Sequence, residues 1–419
     1  MVPASVFILV LELPLTLLLL IGVIRWWLRQ HSEPPRQSLF QPRVSCVITC
    51  YSEGKDIQRT LTSLCEQTYP GEIELIPVVD GAAQNTATLD AARSFQIDPA
   101  IVPRREIRAL AKWQRGGRVS SLNAGLAMAR GEIVMALDGD TSFDNTMVSL
   151  MVRHFENPNV QAVAGNLRVR NSGASLIAAL QSLDYLLSIG MARIGLAEWN
   201  VINNISGAFG AFRRSVLIQI GGWNTHTAED LDLTLRLKSY CKRHPGWRIP
   251  FEPRAIGHTD VPVKLKDLLQ QRLRWDGDLL FLYARKHRHS LNPQLMGWPN
   301  FIATLTYGLF VQTVLPFIIL IDSTSLILQL EWQKLTVLML SLYAAYLLLS
   351  ALQFSVALML CSERPARDLR LMPLLPIFPL AMFAMRCWSA VAMLNELLRR
   401  GHEETAMAPW WVISRAHRF

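Results

Sequence analysis

Apolar and polar positions divide this chain into three zones. Residues 6–27 form an apolar run long enough to cross a bilayer with a turn to spare, interrupted by one acid, Glu12. Between 28 and 297 the pattern changes. Short apolar runs at 44–49, 73–79 and 133–137 end in polar residues and read as buried strands, whereas 57–67, 121–130 and 147–155 carry helical spacing. Strands alternating with helices predict a mostly parallel α/β sheet. Beyond this block, 263–283 reads as an amphipathic helix lying at a membrane interface. Runs at 299–321 and 335–361 then read as spans, separated by a loop holding Asp322, Glu331 and Lys334. The last run, 371–397, contains Arg386 and is broken by Pro373, Pro376 and Pro379, so its first part reads as re-entrant or interfacial and its second as a span.

Charge orients these segments. Nothing basic precedes the first run, while Arg25, Arg29, Arg36 and Arg43 follow it, which is not the layout of a secretory signal. The positive-inside rule places the amino terminus outside and the middle block in the cytoplasm. The loop 362–370 is basic and belongs inside. Four spans would leave the tail outside, yet Arg399, Arg400, Arg415 and Arg418 argue for inside, and both placements stay open. The expected organisation is a membrane anchor at 1–28, a cytoplasmic domain at 29–260, an interfacial region at 261–297, membrane helices at 298–398 and a basic tail at 399–419. The whole is a multi-pass protein of the plasma (inner) membrane.

Composition sharpens this picture in two places. The net charge of +9 suits a protein that lies on an anionic leaflet and binds a phosphorylated ligand, and no Lys/Arg block points to nucleic acid. Cys46, Cys50, Cys65, Cys241, Cys361 and Cys387 form no CxxC pair and show no metal spacing. Cys46 and Cys50 fall in a strand-like run, where a thiol acts as a small hydrophobe, and the soluble part reads as residing in a reducing compartment.

Candidate chemistry collects just past the strand-like runs, where open α/β sheets bind ligands. Tyr51 and Glu53 follow the first, Asp80 ends the second, and Asp138-Gly139-Asp140 ends the third. Paired aspartates around a glycine suit an oxygen-rich Mg²⁺ or Mn²⁺ site, although such a turn is common without a metal. Further on come Gly116-Gly117-Arg118, the small-residue turn Ser206-Gly207-Ala208-Phe209-Gly210 and the acids Glu229-Asp230, which Thr227 could equally place in the first turn of a capped helix. Gln271, Arg274 and Trp275 share a face at i, i+3 and i+4 of the amphipathic segment.

Taken together, this series resembles the processive, membrane-embedded family 2 glycosyltransferases, the synthases of poly-N-acetylglucosamine, hyaluronan, chitin-type oligomers and cellulose. By motif the resemblance covers roughly 44–285. It implies a GT-A-type nucleotide-sugar-binding domain joined to an α-helical transmembrane region. It further implies that Tyr51 and Glu53 read the uracil of a UDP-sugar, that Asp80 holds uracil or ribose, and that Asp138 and Asp140 carry a divalent cation. Arg118, where the family has lysine, would contact phosphate. Glu229 and Asp230 match the family's Thr-Glu-Asp motif, with Asp230 as general base. Ser206 and Gly207 belong to an acceptor loop, Gln271 and Arg274 to the diphosphate, and Trp275 to the acceptor sugar. The implied partners are a UDP-sugar donor, a growing polysaccharide or a lipid acceptor, membrane lipids, and an accessory subunit or second copy of the chain. Two products are compatible with these residues: a β-linked exopolysaccharide exported through the protein's own helices, made from UDP-N-acetylglucosamine or UDP-glucose, and a glycolipid carrying one or a few sugars on ceramide or diacylglycerol.

Overall fold

The computed structural model describes residues 4–32, 39–98, 103–225 and 228–399. Nine strands form one mixed sheet: β1 (Val44–Cys50), β2 (Ile73–Asp80), β3 (Arg105–Ile107), β4 (Leu110–Lys112), β5 (Ile133–Asp138), β6 (Ser142–Phe143), β7 (Ala162–Val169), β8 (Phe209–Arg213) and β9 (Phe251–Thr259). Their order is β3-β2-β1-β5-β8-β7-β9-β6, with β4 pairing the far half of β2. β1 lies parallel to both β2 and β5, which makes it the central strand of the parallel half of the sheet. Every residue of β1 is buried, which is why its sequence is a continuous apolar run rather than an alternating one. Its side chains still divide by face: Val44, Cys46, Ile48 and Cys50 enter one core, and Val47 the other. Both thiols are free, and burial pushes Cys46 up to about 12.

Helix Ile57–Cys65 covers one face through Ile57, Leu61 and Leu64, and helix Gly117–Met128 covers the other through Val119, Leu122 and Leu126. The second helix approaches closely because Gly125 faces β1: a Cβ there would lie 2.3 Å from Cγ1 of Val47. β8 enters antiparallel between β5 and β7, so the turn at 206–210 is partly strand. Only the portion before Phe209 remains a loop, because Phe209 is fully buried in the core.

Three helical runs are long and apolar enough to cross a membrane: Leu11–Ser32, Trp298–Gln329 and Trp332–Cys361. A further pair, Pro365–Leu374 and Phe378–Leu398, is bent by 76° at a break that contains Pro376, a residue with no amide to continue the helix. Asp322 was expected in a loop. It lies instead within helix Leu315–Gln329, because Leu326, Ile327 and Leu328 prolong the apolar pattern beyond it. The loop between these spans is therefore confined to the neighbourhood of Glu331.

The soluble and membrane parts lock together at two places. Segment Ala192–Glu198 lies against the first span, and the π-helical stretch Tyr185–Met191 before it packs on β7 and on Ala357–Cys361. Gly22 and Gly195 make this crossing tight, since a Cβ on either would sit 2.6 Å from a backbone oxygen of the other helix. Arg29 pairs with Glu198 at 2.7 Å, and the Trp199 indole donates to the Leu18 carbonyl at 3.1 Å. On the other side, the basic loop after Cys361 docks on the sheet, with Arg364 pairing Asp144 at 2.9 Å and Arg168 pairing Glu363 at 2.8 Å.

Candidate active site

Adjacent parallel strands deliver the first group of acids. β1 and β5 are in register with Thr49 opposite Asp138, so the segments that follow them emerge side by side. The Gly139 amide donates to the Thr49 carbonyl at 3.0 Å, and a Cβ on Gly139 would lie 3.3 Å from the Glu53 carboxyl carbon. Glycine there is what lets Glu53 approach the aspartate turn. Glu53 Oε2 is buried without a hydrogen-bond partner. Burial pushes its carboxyl up to about 7, with Asp140 and Asp138 adding repulsion. Asp140 rises to about 6, first through desolvation in the cleft and then through Asp138. Carboxylates that repel one another in this way form a site with an unmet demand for positive charge. Tyr51 lies on the same rim, stacked under the Arg115 guanidinium at 4.4 Å.

Asp80 and Arg118 are both engaged by the protein itself. Asp80 accepts from Lys112 Nζ at 2.7 Å and from the amides of Gly116 and Gly117 at 2.9 and 2.8 Å. A carboxylate at this position anchors the start of helix Gly117–Met128 and complements its dipole. The next residue, Arg118, was expected on phosphate. Its Nε donates to Glu229 at 2.6 Å, its Nη1 to Thr49 at 3.0 Å and to Asp138, and its Nη2 to the Gly207 carbonyl at 2.6 Å. All three nitrogens are taken, so Arg118 is an internal strut that joins the turn after β5 to helix Glu229–Lys238. A planar fork with separated donors does this where one ammonium would not.

Helix Glu229–Lys238 brings the second group. Ala228 precedes it in the left-handed region at φ 39°, which turns the chain sharply into the helix; Thr227 lies outside the described residues. Glu229 is buried on Arg118, and desolvation raises its carboxyl above the usual range. Asp230 Oδ2 accepts from Asn204 Nδ2 at 2.9 Å and from the Gly207 amide at 3.1 Å, while Oδ1 takes its own helix's Leu231 amide at 2.7 Å. Gly207 thus touches both acids: a Cβ there would lie 2.8 Å from Glu229 Oε1. Ser206, its neighbour, turns the chain into β8 by accepting the Phe209 amide at 3.1 Å.

Helix Leu265–Phe281 supplies the cationic wall. Gln271 Oε1 is buried with no partner. Among the described residues Arg274 forms no hydrogen bond or ion pair; burial pulls its guanidinium down, and Glu229, Asp278 and Asp138 are the carboxylates that act on it. Arg272, two residues earlier and on the opposite side of the helix, is instead held by Asp184 at 3.2 Å and lies 5.4 Å from the ring centre of Trp275, which is 38% exposed. Asp278 escaped sequence reasoning. It sits one helical turn past Arg274, where an i, i+4 spacing was its only signal, and burial with repulsion from Glu396 pushes it up to about 8. Hydrogen bonds thus join Thr49, Arg118, Asp138, Gly207, Glu229 and Asp230 into one cluster, with Asp80 at the start of the Arg118 helix, whereas Trp275 is in contact with Arg272.

Comparison with known proteins places this geometry. Residues 42–277 match the family described as Glycosyltransferase like family 2. The chain is 33% identical over 234 residues to a poly-beta-1,6-N-acetyl-D-glucosamine synthase of Staphylococcus epidermidis, covering 55% of this chain and 53% of that protein. It is 31% identical over 233 residues to a synthase of the same name from Staphylococcus aureus strain COL, again covering 53% of it. The matched part thus spans about half the length of these relatives. A mannosyltransferase of Pyrobaculum calidifontis, solved with GDP-Man and Mn²⁺, shares the fold at 19% identity, with a TM-score of 0.57 over 94% of this chain and 98% of that one.

Proposed function

The chain belongs to the family 2 glycosyltransferases, and from that premise we propose that it is a membrane-bound inverting transferase that uses a UDP-sugar to extend a β-linked exopolysaccharide. UDP-N-acetylglucosamine is the favoured donor, since the synthases it is similar to are named for that polymer; UDP-glucose is the other candidate. The observation that carries the reading is the charge imbalance of the cleft. Arg118 ties Asp138 to Glu229, yet Arg274 faces the same carboxylates with no partner of its own. A diphosphate arriving there meets an unpaired guanidinium, and the side-chain NH2 of Gln271 is the group that can donate to it.

In this reading Tyr51 and Glu53 take the base, with Asp80 fixing the helix start beside them. Asp230 accepts the proton of the attacking hydroxyl as its oxygen bonds to the anomeric carbon, and the bond from that carbon to the diphosphate breaks, releasing UDP. Gly207 and Asn204 hold the Asp230 carboxylate in place for this transfer. Trp275 offers an aromatic platform to the acceptor sugar, and the Ser206-Gly207 turn lets it approach the backbone. Among the described residues no three carboxylates, imidazoles or thiols are grouped to hold an ion by themselves, so a divalent cation would rest on two aspartates and the donor's phosphates. Asp140 is exposed, Glu53 Oε2 lacks a partner, and both carboxyls are raised by their neighbours. Asp140 and Asp138 would hold Mg²⁺ or Mn²⁺, leaving the remaining positions to water and phosphate oxygens, as such ions prefer. The ion supplies neutralisation of charge on the departing diphosphate.

The apolar helices support a membrane protein, and the reading puts it in the plasma (inner) membrane with the catalytic residues in the cytoplasm, the amino terminus outside and Arg25 and Arg29 at the inner face. A second copy or an accessory subunit would help to line a path for the polymer. Membranes containing the full-length chain, given labelled UDP-N-acetylglucosamine or UDP-glucose with Mg²⁺ or Mn²⁺, should release UDP and form high-mass, glycosidase-sensitive material. Label recovered only in organic solvent would replace the polymer with a glycolipid product, and absence of UDP release would defeat both.

A further inference from the structure

A cavity of about 40 Å³ lies where the loop that follows the span Trp332–Cys361 docks on the sheet. None of Asp138, Asp140, Asp230, Gln271 and Arg274 lines it, so the chemistry above does not use it. The sheet contributes Arg168 of β7 and His258 of β9, and the loop contributes Arg364 and Arg367. Ser182 adds a wall from helix Leu176–Asp184. Such a volume admits about three waters, and so a group the size of phosphate.

Charge around this cavity is unevenly matched. Both acids of the loop converge on one sheet residue: Arg168 pairs with Glu363 at 2.8 Å and with Asp368 at 3.1 Å. Arg364 is taken by Asp144, which His258 also contacts at 2.9 Å. Arg367 is left over. It is exposed, and among the described residues its guanidinium has no hydrogen bond or ion pair. The half-buried Ser172 and Ser182 hydroxyls on the lining have no protein partner among those residues either. Arg370, one turn further along the same helical run, is exposed and unpaired on the same side.

The cavity also stands at the level of lipid headgroups. Arg364 is three residues past Cys361, where the span ends, a reach of at most about 10 Å. The headgroup layer is itself about 5–8 Å deep on each side of a bilayer. Leu176, Leu369 and Met372, which are 53%, 48% and 56% exposed, lie on the two helical segments beside the cavity. A soluble phosphate compound would engage the arginines and leave these apolar side chains in water, whereas a phospholipid satisfies both. We infer that this cavity binds the phosphate of an anionic phospholipid. Arg367, Ser172 and Ser182 donate to it, Arg370 adds attraction, and the acyl chains lie over Leu369 and Met372. Because Arg364 of the same loop holds Asp144, bound lipid braces the segment that leads on from Asp140.

The test is thermal unfolding of the full-length protein in detergent, titrated with short-chain phosphatidylglycerol. Short-chain phosphatidylcholine, glycerol phosphate and UDP serve as controls. Phosphatidylglycerol should raise Tm in a saturable way, phosphatidylcholine and glycerol phosphate should not, and saturating UDP should leave the lipid affinity within about twofold. Arg367→Gln should weaken that affinity about fivefold and Arg367→Gln with Arg370→Gln about twenty-fivefold, the worth of one and two cations at an anionic surface. Arg367→Lys should keep most of it. Ser182→Leu, which fills the cavity without removing charge, should weaken it as well, separating a built site from general attraction. Both arginines are exposed, so without lipid their variants melt with the parent. Equal stabilisation by phosphatidylcholine, or parent affinity in the double variant, would remove the site. Equal binding of glycerol phosphate would make it a site for free phosphate compounds, and competition by UDP would assign the cavity to the donor. Binding is read without turnover, so this inference and the glycosyl-transfer reading fail separately.

Discussion

Replacing Arg118 with methionine removes the one side chain that connects the turn after β5 to the helix of the base. The arginine is 18% exposed, Glu229 5% and Asp138 29%, so solvent screens these pairs only partly. Deleting one partner of a buried ion pair costs about 3–5 kcal/mol, because the other charge is left uncompensated. The more open Asp138 side draws the value to the low end, about 3 kcal/mol. In a domain of this size each kcal/mol moves Tm by about 2–4 °C, so Arg118→Met should melt about 6–12 °C below the parent. Arg118→Lys keeps the charge but cannot reach acceptors on four separate elements, and loses about 1.5–3 kcal/mol. The assay is thermal unfolding of the full-length protein in detergent, paired with UDP calorimetry well below the transition. Four of the five N–H donors of Arg118 are on Glu229, Thr49, Asp138 and Gly207, which leaves a single Nη2–H for a phosphate oxygen. Folded Arg118→Met should then bind UDP within about threefold of the parent, a difference of under about 1 kcal/mol. A variant that melts with the parent but loses UDP affinity a hundredfold or so would make Arg118 a phosphate ligand and refute the strut.

Three more outcomes test the cleft. Asp230→Asn should lower kcat by about 10²–10⁴-fold with UDP affinity retained, and near-normal turnover would dismiss Asp230 as base. Asp140→Ala should lose activity together with its dependence on Mg²⁺ or Mn²⁺, whereas a residual rate still stimulated by metal would place the ion on other ligands. Burial and Glu396 push Asp278 up to about 8, against the pull of Arg274. It is therefore neutral at pH 7, ionises as pH rises through 8 and then competes for Arg274. Donor KM should climb severalfold between about pH 7 and 9, and Asp278→Asn should flatten the rise; a flat parent profile would refute the coupling.

What could be read in the sequence was what local pattern encodes. β1, β2 and β5 are buried on both faces, so their runs are mostly apolar, with Glu74 a buried exception held by Ser45 and Arg108, and they stop at Tyr51, Asp80 and Asp138. The spacing of Gln271, Arg274 and Trp275 put them on one helical face, and the helix is there. What escaped depends on partners distant in sequence. Arg118 resembled a phosphate contact by motif position, but its acceptors lie as far away as Glu229, 111 residues on. β8 is short and glycine-containing, and only its antiparallel place between β5 and β7 makes it a strand. Segment 176–199 shows no run long enough to mark a membrane contact, and its interfacial position comes from Gly195 meeting Gly22. Asp278 is informative only because it is buried, a property no local window contains.

The same long-range contacts make the base answerable to the membrane. Helix Glu229–Lys238 is held at its start by Arg118, which belongs to the sheet side of the molecule. One turn on, Asp232 binds Lys286 and His287, each at 2.8 Å, from the segment that leads to the first span after the cleft. Burial opposes ionisation of Asp232, but His287 and Lys286 outweigh it and hold the carboxyl at about 2. At the far end Lys238 is buried and donates to Thr304, in the run Trp298–Gln329. Asp230 therefore rides on a helix gripped by the sheet at one end and by membrane-bound elements at two further points. A polymer that shifts the spans as it enters them would move the base relative to Asp138 and Asp140, because buried ion pairs resist stretching more than exposed ones. Under the proposed function, glycosyl transfer and movement of the spans would be mechanically joined through this single ten-residue helix.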